Sequence, residues 1–424
     1  MSVSEPVYYD KTKHKVILIS GMQWGDEGKG KLVSHLSHDF ELIARYNGGH
    51  NSGHEVVVNG VPFKLHLLPC GSLNPNTVNV LGNGVVIHLE SLVKEMDALS
   101  KFGIDLTNRL FISDRAHLIF DLHIAIDVKS EVGTDKYSKP LGTTKRGIGP
   151  TYSTKCLRTG IMKLVTNFTF NLRSSSLKLT DVEADMLTKK EIEKQKKLFE
   201  RVSHCIVDAS QLIRKYIKEG KGVCFEGANG VLLDLNLGTY PYVTSNNTTT
   251  SGVYNGLGVS PSVNILKIGI LKAYQTRIGE GPFPTELFDE NFEKLSNLGG
   301  EFGVTTGRTR RCGWLDLVAA KYVQALNGFD LINLTKLDVL SNFDEIKICV
   351  NYRHKKTDEC FPSCTYKFDE YEPVYKTFEG WKVDFSNCTN FDDLPEKAKE
   401  YVLFLEEQLG VHIQWVSIFQ LRWH

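Results

Sequence analysis

The sequence has 424 residues, of which 41% are hydrophobic and 24% are charged, so it can bury a large core as an ordinary globular protein does. Its 50 basic and 50 acidic residues balance. No overall charge is therefore available to hold it on nucleic acid or a membrane surface, and any anion recognition must be local. We expect neither nucleic acid nor membrane among its partners.

The nine cysteines are odd in number and thinly spread, which predicts reduced thiols in a cytoplasmic protein. Only Cys360 and Cys364 are close neighbours, and no second Cys or His pair at zinc spacing accompanies them. We interpret these two as loop cysteines. The N-terminus lacks the apolar stretch of a leader sequence, and no run approaches the roughly 18 apolar residues of a membrane span. We therefore expect a soluble protein.

The first 14 residues are polar and aperiodic, which predicts a mobile tail. Short, continuous apolar runs follow, as is typical of strands buried on both faces. These runs are Val16–Ile19, Val78–Leu81, Leu110–Ile112, Gly222–Phe225, Ile265–Ile270 and Leu331–Leu334. Between them, helical spacing of apolar residues predicts a helix from Leu89 that stops at Gly103. The charge-laced stretch Asp181–Lys218 predicts one or two amphipathic helices.

A final helix is predicted to be capped by Asp393, with Pro395 in its first turn and Gly410 beyond its end. Residues 354–390 are the least regular part and predict a peripheral excursion. Strands that alternate with helices predict an α/β fold, with a large, mainly parallel central sheet flanked by helices. We therefore expect a single α/β catalytic domain with peripheral insertions in residues 15–424, preceded by the tail of residues 1–14.

A glycine-rich segment, Gly21–Lys31, follows the first predicted strand and precedes a helix that begins near Lys31. This order presents backbone N–H groups and a helix N-terminus to an anion. Its glycines let the backbone approach a phosphate, and Lys29 or Lys31 supplies a positive charge. The spacing is longer than that of the standard P-loop, and Gly30 replaces the hydroxyl that would hold Mg²⁺. Asp26 is therefore the candidate metal ligand.

The alternative is a glycine-rich turn that serves only to pack the strand against the helix. Against it stand two lysines and the adjacent carboxylates of Asp26 and Glu27. Like charges beside a tight turn cost stability when no ligand compensates them. We therefore interpret the segment as a phosphate-binding loop.

Several later turns are also rich in Gly, Asn and Thr and carry histidines, arginines or carboxylates. They are NGGHNSGHEV from Asn47, Gly142–Tyr152, Phe225–Asp234, Gly238–Thr249, Gly303–Trp314 and Asn333–Asp338. In the last of them, Asp338 can accept from both N1–H and the exocyclic amine of guanine, a donor pair that adenine lacks. A surface Lys336–Asp338 pair is the alternative, but beside a phosphate loop the pattern favours GTP over ATP.

Together these segments resemble the adenylosuccinate synthetase family, whose motifs occur here in family order from about Val16 to about Ser417. They are QWGDEGKGK, RYNGGHNSGH, GTTKRGIGPTY, GTYPYVTSNNTT, TTGRTRR and TKLD. The resemblance implies a GTP- and Mg²⁺-dependent ligase that joins IMP and L-aspartate to give adenylosuccinate, GDP and phosphate. It further implies a 6-phosphoryl-IMP intermediate and the first committed step of AMP synthesis from IMP.

The resemblance also implies a role for each matching residue. Asp26 resembles the base that removes the N1 proton of IMP, His54 an acid that stabilises the phosphoryl group in transit, and Lys29 a third catalytic group. The implied Mg²⁺ ligands are Asp26 and the Gly53 carbonyl. The implied GTP site is formed by Gly25, Glu27, Gly28, Lys29, Gly30, Lys31, Lys336, Asp338 and Ser417. The implied IMP site is formed by Asn51, Thr144, Arg158, Asn229 and Thr244. The implied aspartate site is formed by Val304, Thr305, Thr306, Arg308 and Arg310. Arg158 resembles an arginine that reaches the IMP phosphate of the other subunit, which implies a homodimer.

Two positions depart from the family pattern. Asn229 stands where the family has Gln in GAQG and is one methylene shorter, so its contact with the IMP base is shifted, bridged by water or lost. The segment Ile418 to His424 lacks the usual Gly and Pro, and we expect Phe419 to crowd the nucleotide pocket.

Two other functions compete with the ligase. A GTPase-like switch or kinase would need only the phosphate loop and TKLD, whereas the arginines of TTGRTRR fit a dicarboxylic amino acid. A nucleotide-binding module inactivated at its C-terminus is the non-enzymatic alternative, and the presence of both Asp26 and His54 argues against it.

Overall fold

The computed structural model describes residues 7–58, 61–132, 140–161, 181–303, 307–354, 358–359, 361–362, 368, 370–385 and 387–417. Within them the strands are β1 (Val16–Gly21), β2 (Leu42–Arg45), β3 (His54–Val58), β4 (Val61–Leu65), β5 (Val78–Leu81), β6 (Val86–Ile87), β7 (Leu110–Ser113), β8 (His117–Leu118), β9 (Ile206–Val207), β10 (Val223–Gly230), β11 (Leu266–Lys272), β12 (Gln275–Arg277), β13 (Arg311–Gly313), β14 (Leu315–Asp316), β15 (Leu331–Thr335), β16 (Glu345–His354), β17 (Asp358–Glu359), β18 (Tyr371–Glu379) and β19 (His412–Ser417). The α-helices are α1 (Lys29–Leu36), α2 (Leu89–Ser100), α3 (Asp121–Val132), α4 (Ile148–Cys156), α5 (Asp181–Val202), α6 (Ala209–Lys218), α7 (Gly252–Leu257), α8 (Glu290–Gly299), α9 (Leu317–Asn327) and α10 (Glu396–Leu409).

Nine of these strands form one central sheet, in the order β19-β15-β11-β1-β10-β2-β5-β7-β9. Every neighbouring pair in it is parallel. Parallel neighbours require crossover connections, which place helices over the sheet. The predicted α/β class with a large parallel sheet is therefore confirmed, and each of the six apolar runs overlaps one of its strands.

The strand β1 shows why these runs are continuously apolar. Its alternate side chains Ile17 and Ile19 pack into a buried cluster with Leu32 of α1. Leu18 points to the opposite face and packs with Ile213 of α6. Because successive residues of a strand face opposite sides of the sheet, a strand that is covered on both sides must be apolar at every position.

The two neighbours of β1 come from distant parts of the chain, β10 on one side and β11 on the other. The strand order therefore reverses at β1, which lies inside the sheet. In open parallel sheets such a reversal leaves a crevice at the carboxyl ends of the strands, where ligands bind. The loops after β1, β10, β11 and β15 all leave from this edge.

The predicted helix from Leu89 is confirmed as α2, and the amphipathic stretch forms two helices, α5 and α6. The phosphate-loop helix begins at Lys29, two residues before the predicted position. The prediction that Asp393 caps the last helix is wrong. That helix begins at Glu396 after Pro395, because Asp393 instead accepts the N–H of Asn390 at 2.8 Å and closes a separate 3₁₀ turn.

Residues 371–379 correct the expectation that 354–390 is the least regular part. They form β18, which pairs antiparallel with β16 in a second, smaller sheet. Phe378, Trp381 and Phe385 from this region are buried in the same cluster as residues of α9 and α10.

At the other end of the chain, part of the predicted tail has contacts, since the backbone N–H of Tyr9 donates to Gln414 at 2.6 Å. Residues 1–6 lie outside the described residues.

The described cysteines, Cys70, Cys156, Cys205, Cys224, Cys312, Cys349 and Cys388, are free thiols, as predicted. Cys360 and Cys364 lie outside the described residues. Among the helices that the structure describes, none is both long and apolar enough to cross a membrane.

Candidate active site

A cavity of about 1600 Å³ opens at the carboxyl edge of the central sheet, at the reversal of strand order. Most of the predicted site residues line it: Gly25, Asp26, Glu27, Gly28, Lys29, Gly30, Lys31, Asn51, Gly53, His54, Thr144, Asn229, Thr244, Arg308, Arg310, Lys336 and Ser417. Arg158 and Asp338 are not among its lining residues. Val304, Thr305 and Thr306 lie outside the described residues. One cavity therefore gathers groups from the three predicted substrate sites.

The phosphate loop is organised from within by the buried carboxylate of Glu27. This carboxylate accepts the backbone N–H groups of Gln23 at 3.0 Å and Gly25 at 2.9 Å, and it pairs with Lys29 Nζ at 2.7 Å. The Glu27 carbonyl accepts from the Thr335 hydroxyl at 2.7 Å, which ties the loop to the end of β15. Glu27 is thus compensated by protein groups alone, so the argument that the acidic pair needs a ligand does not hold for this residue.

The next feature is the backbone of the loop, which takes left-handed conformations at three positions. Gly25 has a φ of 91°, Asp26 of 58° and Gly28 of 96°. A non-glycine residue adopts such a φ only at a cost in free energy. Here this backbone conformation turns the Asp26 side chain toward the cavity, whereas the Glu27 side chain is buried within the loop. Gly28 is also the N-cap of α1, and no side chain among the described residues caps that helix. The N–H of Lys31 donates to the Gly28 carbonyl at 3.1 Å, and the N–H groups before it, those of Lys29 and Gly30, are the ones that can meet an anion.

Asp26 does not stand alone in the cavity wall. Its Oδ2 accepts from Arg310 Nε at 2.8 Å, and Arg310 Nη1 donates to Glu301 Oε2 at 2.7 Å. Burial opposes the charged form of Arg310, but the carboxylates of Asp26 and Glu301 outweigh it and raise the pKa of Arg310. The structure thus joins the predicted base to a predicted aspartate-binding arginine.

Glu301 is the centre of this charge network. Its buried carboxylate accepts from Lys272 Nζ at 3.2 Å and Lys336 Nζ at 2.7 Å, and from the Tyr274 hydroxyl. Burial alone would raise the pKa of Glu301, but these cations and Arg310 hold it below its usual range. Burial lowers the pKa of Lys272 to about 8 against the pull of Glu301. The predicted guanine-site lysine and aspartate-site arginine therefore share one anion.

The predicted guanine end of the cavity is formed where β15 and β19 finish. Lys336 follows β15 with a φ of 59°, and its N–H donates to the carbonyl of Ser417, the last residue of β19, at 2.8 Å. Asp338 lies in the 3₁₀ turn that follows and acts on Lys31, where it opposes the lowering of the pKa of Lys31 by burial. Residues Ile418 to His424 lie outside the described residues, so the crowding by Phe419 stays a prediction.

His54 begins β3 and lines the cavity beside Gly53. Burial first, and then the charges of Arg45 and Lys29, hold the pKa of His54 well below its usual value. A neutral ring still carries one N–H donor, so His54 can donate a hydrogen bond without being charged. Its Nε2 lies 3.6 Å from Glu226 Oε1, too far for a hydrogen bond.

The predicted IMP residues occupy another part of the wall. Asn229 has a φ of 64°, and its Oδ1 is buried without a hydrogen-bond partner among the described residues. The Thr244 hydroxyl accepts from Asn246 at 3.0 Å, and Asn51 Oδ1 accepts from the Gly49 N–H at 3.3 Å. Arg158 lies beyond the end of α4 and is exposed. The unsatisfied oxygen of Asn229 marks a polar position in the wall that a ligand can complete.

Sequence reasoning missed Glu301, Lys272 and Glu226. Lys272 is the last residue of β11, and Glu226 lies within β10, so both are on the immediate neighbours of β1. A charged residue inside or at the carboxyl end of an otherwise apolar strand is the signal that could have found these two. Glu301 follows α8 just before the arginine segment, and nothing local distinguishes it from a surface carboxylate.

These features define an α/β enzyme with a cavity at the carboxyl edge of a parallel sheet, lined by a glycine-rich loop, lysines and arginines that suit anionic substrates. The family model described as adenylosuccinate synthetase matches residues 18–423. The adenylosuccinate synthetase of Theileria annulata is 62% identical to this chain over 446 residues, covering 97% of this chain and 95% of the relative. That of Theileria parva is 64% identical over 419 residues, covering 95% and 96%.

A solved structure of the fully ligated adenylosuccinate synthetase from Plasmodium falciparum matches with a TM-score of 0.88 and 45% identity, over 95% of this chain and 97% of that chain. The chain belongs to the adenylosuccinate synthetase family. It is a GTP-dependent ligase that joins IMP and L-aspartate in AMP synthesis. The resemblance read from the motifs is confirmed, and the switch or kinase and the inactive module are wrong.

The charge network generates the first prediction, which concerns Glu301→Gln. Loss of this charge leaves Lys272 and Lys336 without their buried carboxylate and leaves Arg310 paired only with Asp26. Breaking such a buried pair costs about 3–5 kcal/mol of unfolding free energy. Arg310 also loses its anchor, so we expect the KM for aspartate to rise at least about tenfold. Steady-state kinetics and thermal unfolding measure both effects. The matched control is Glu293→Gln on the exposed side of α8, and identical behaviour of the two variants would contradict the role of Glu301.

Proposed function

We propose that the ligation runs in two steps within this cavity, through 6-phosphoryl-IMP, with Asp26 as the base. The observation that carries the proposal is the opposite orientation of two adjacent carboxylates. Glu27 is buried and compensated within the loop, whereas Asp26 faces the cavity from a left-handed residue. Both residues line the cavity, but the side chain of Asp26 is 30% exposed and that of Glu27 is fully buried, which favours Asp26 as the group that meets a substrate.

The two steps follow from the chemistry of the 6-oxygen of IMP, which is a poor leaving group. In the first step, Asp26 takes the N1 proton, O6 forms a bond to the γ-phosphorus of GTP, and the bond to the β-γ bridging oxygen breaks to release GDP. In the second, the amine of aspartate attacks C6 and gives up one proton to solvent, the C6–O bond breaks, and phosphate leaves. A carboxylate is a weak base for a lactam N–H, so the anion must be stabilised as it forms.

Stabilisation comes from the donors that line the cavity near the loop. The first N–H groups of α1 and the ammonium of Lys31 would hold the phosphates of GTP, together with Gly25, Gly28 and Gly30, which is supported by their position in the cavity wall. Lys29 is held by Glu27 and supplies a second positive charge in the loop. His54 donates a hydrogen bond from its neutral ring to the phosphoryl group in transit.

The residues present also fit a magnesium ion. Asp26 offers a carboxylate and Gly53 a backbone carbonyl on the wall of the same cavity, and Mg²⁺ prefers such oxygen ligands. Bound there, Mg²⁺ would supply charge neutralisation between the phosphates and the substrate. Asp26 would then serve both as ligand and as base, which is consistent with its position between the loop and the open cavity.

The amino acid site is proposed to use Arg308 and Arg310, with residues 304–306. Each guanidinium can grip a carboxylate in a bidentate fashion, as suits a dicarboxylic substrate. Arg308 donates to the Gly142 carbonyl at 3.1 Å, and Arg310 holds Asp26. An arriving aspartate carboxylate competes for Arg310, and its binding releases Asp26 to act as a base.

The remaining residues complete the proposed binding sites of the substrates. Lys336, Asp338 and Ser417 would hold guanine, and Asn51, Thr144, Asn229 and Thr244 would hold IMP. Arg158 would reach the IMP phosphate of a partner subunit in a homodimer, which is consistent with its exposure outside the cavity of its own chain. A cytoplasmic location accords with the free thiols of the described cysteines.

The test of the base is Asp26→Asn. The amide keeps the size of the side chain but cannot take a proton, so we expect turnover to fall at least about a thousandfold while GTP still binds. The assay contains IMP, GTP, Mg²⁺ and L-aspartate and follows the ultraviolet absorbance of the product together with GDP. Normal turnover in this variant would remove Asp26 as the base, and GTP consumption that ignores aspartate would remove the coupled mechanism.

The guanine site is tested by Asp338→Asn. The carboxylate accepts from N1–H and from the 2-amino group, and the amide loses one of these acceptors, so we expect the preference for GTP to relax at least about tenfold. The measurement compares kcat/KM for GTP and for ITP, which lacks the 2-amino group. Asp344→Asn, which changes an exposed carboxylate, is the control. An unchanged ratio of the two substrates would count against the assignment.

The dimer is tested by mixing two inactive variants, Asp26→Asn and Arg158→Leu. A mixed dimer has one site with both an intact Asp26 and an intact Arg158 only if the arginine crosses to the partner. Random exchange then restores roughly a quarter of the normal rate, because half the dimers are mixed and each has one good site. Mixtures that stay as inactive as their components would show that Arg158 does not serve a partner's site.

A further inference from the structure

At the cavity wall, His54 meets two side chains that lie behind it, and the ligation does not use the three together. His54 begins β3, Cys70 begins a 3₁₀ turn, and Glu226 lies in the middle of β10. Their ligand atoms are all within 4.8 Å of one another. His54 is 9% exposed, and Cys70 and Glu226 are fully buried. A histidine, a thiol and a carboxylate thus converge in a place from which water is largely excluded.

Two distances in this cluster lie in the range found between the ligands of one metal ion. His54 Nε2 lies 3.6 Å from Glu226 Oε1, and Cys70 Sγ lies 3.4 Å from the same oxygen. Zinc bonds of about 2.0–2.3 Å at tetrahedral angles separate ligand atoms by roughly 3.3–3.8 Å. The Sγ–Oε1 distance is also that of a thiol hydrogen bond, and the three ligand atoms lie close enough together for one ion to bind all of them.

A second observation points to a missing ligand. His54 Nε2 is buried and has no hydrogen-bond partner among the described residues, although it is directed at Glu226. Glu226 cannot turn toward it freely, because Glu226 Oε2 accepts the Cys70 N–H at 2.8 Å and Oε1 accepts the Cys70 thiol. A buried polar atom without a partner costs free energy, and a cation between the three groups would satisfy it.

We propose that His54, Cys70 and Glu226 form a binding site for Zn²⁺, distinct from the Mg²⁺ position, and that its occupation arrests the ligase. The donor set selects the metal. Magnesium prefers six oxygen ligands, whereas thiolate and imidazole favour zinc. Gly30 lies against the cluster, where an added Cβ would be 2.9 Å from Cys70 Sγ, and both Gly30 and His54 line the cavity.

Charge and protons balance in this site. Zinc replaces the thiol proton, which is released to solvent, and the resulting thiolate and the carboxylate cancel the two charges of the ion. Neutrality matters because the charges of Arg45 and Lys29 act on His54 and would repel a site of net positive charge. The imidazole then has its Nε2 bound to metal, and the ring is fixed in place.

Arrest of the ligase rests on the proposed role of His54, whereas metal binding does not. A ring held by zinc cannot reorient toward the phosphoryl group, so we expect turnover to fall as the site fills. The two parts are therefore measured separately, the first without any substrate.

Binding is measured with Co²⁺ as a spectroscopic substitute for Zn²⁺, in the nucleotide-free protein. We expect a thiolate-to-cobalt absorption band at one equivalent, its loss on addition of Zn²⁺, and its absence in Cys70→Ser. Glu226→Gln should weaken binding at least about tenfold. Cys156→Ser, which removes an exposed thiol, is the matched control and should keep the band. A band that survives Cys70→Ser, or that disappears in Cys156→Ser, would overturn the site.

Arrest is measured with excess Mg²⁺ and GTP, each variant being compared with its own zinc-free rate. We expect Zn²⁺ to inhibit the unaltered protein and Cys156→Ser equally, and Cys70→Ser to need at least about tenfold more. Equal inhibition of Cys70→Ser would overturn arrest through this site. If cobalt and zinc bind as expected and turnover stays normal, the metal site stands and the role proposed for His54 fails.

Discussion

The active site depends on the pairing of the buried Glu301 carboxylate with the cations around it. A lone carboxylate in such a place would cost several kcal/mol, and here three cations, Lys272, Arg310 and Lys336, offset that cost. With Asp26 included, and with Lys272 protonated, the cluster carries one surplus positive charge. Such a surplus at a cavity wall favours anionic substrates, although the charge of the whole chain is balanced.

The sheet explains how this cluster can form at all. Asp26 follows β1, Lys272 ends β11, and Lys336 follows β15, and these three strands are neighbours in the sheet. Parallel strands carry their carboxyl ends to one edge, so residues far apart in the sequence arrive within hydrogen-bonding distance. The continuous apolar runs fix the strands, and the polar residues immediately after them become the site. The reversal of strand order at β1 leaves room for the substrates between them.

This division also explains what the sequence could predict. The strands depend on continuous apolar runs and the phosphate loop on clustered glycines. Both patterns are local, so the sequence predicts both features. The role of Glu301 depends on partners that only the folded chain brings together, so the sequence does not predict it as the centre of the charge network. The prediction of the cap of the last helix is wrong for a different reason. Asp393 can serve either a helix or a preceding turn, and the choice depends on Asn390, whose N–H it accepts.

Adjacent Asp26 and Glu27 show how a small backbone difference separates two functions. The left-handed turn sends one carboxylate inward, where it builds the loop, and the other outward, where it meets Arg310. The Asp26 side chain is 30% exposed, so a substrate carboxylate can reach this ion pair from the cavity. In the proposed mechanism the base is therefore covered until aspartate arrives. Such an arrangement limits phosphoryl transfer to the moment when the nucleophile of the second step is already bound.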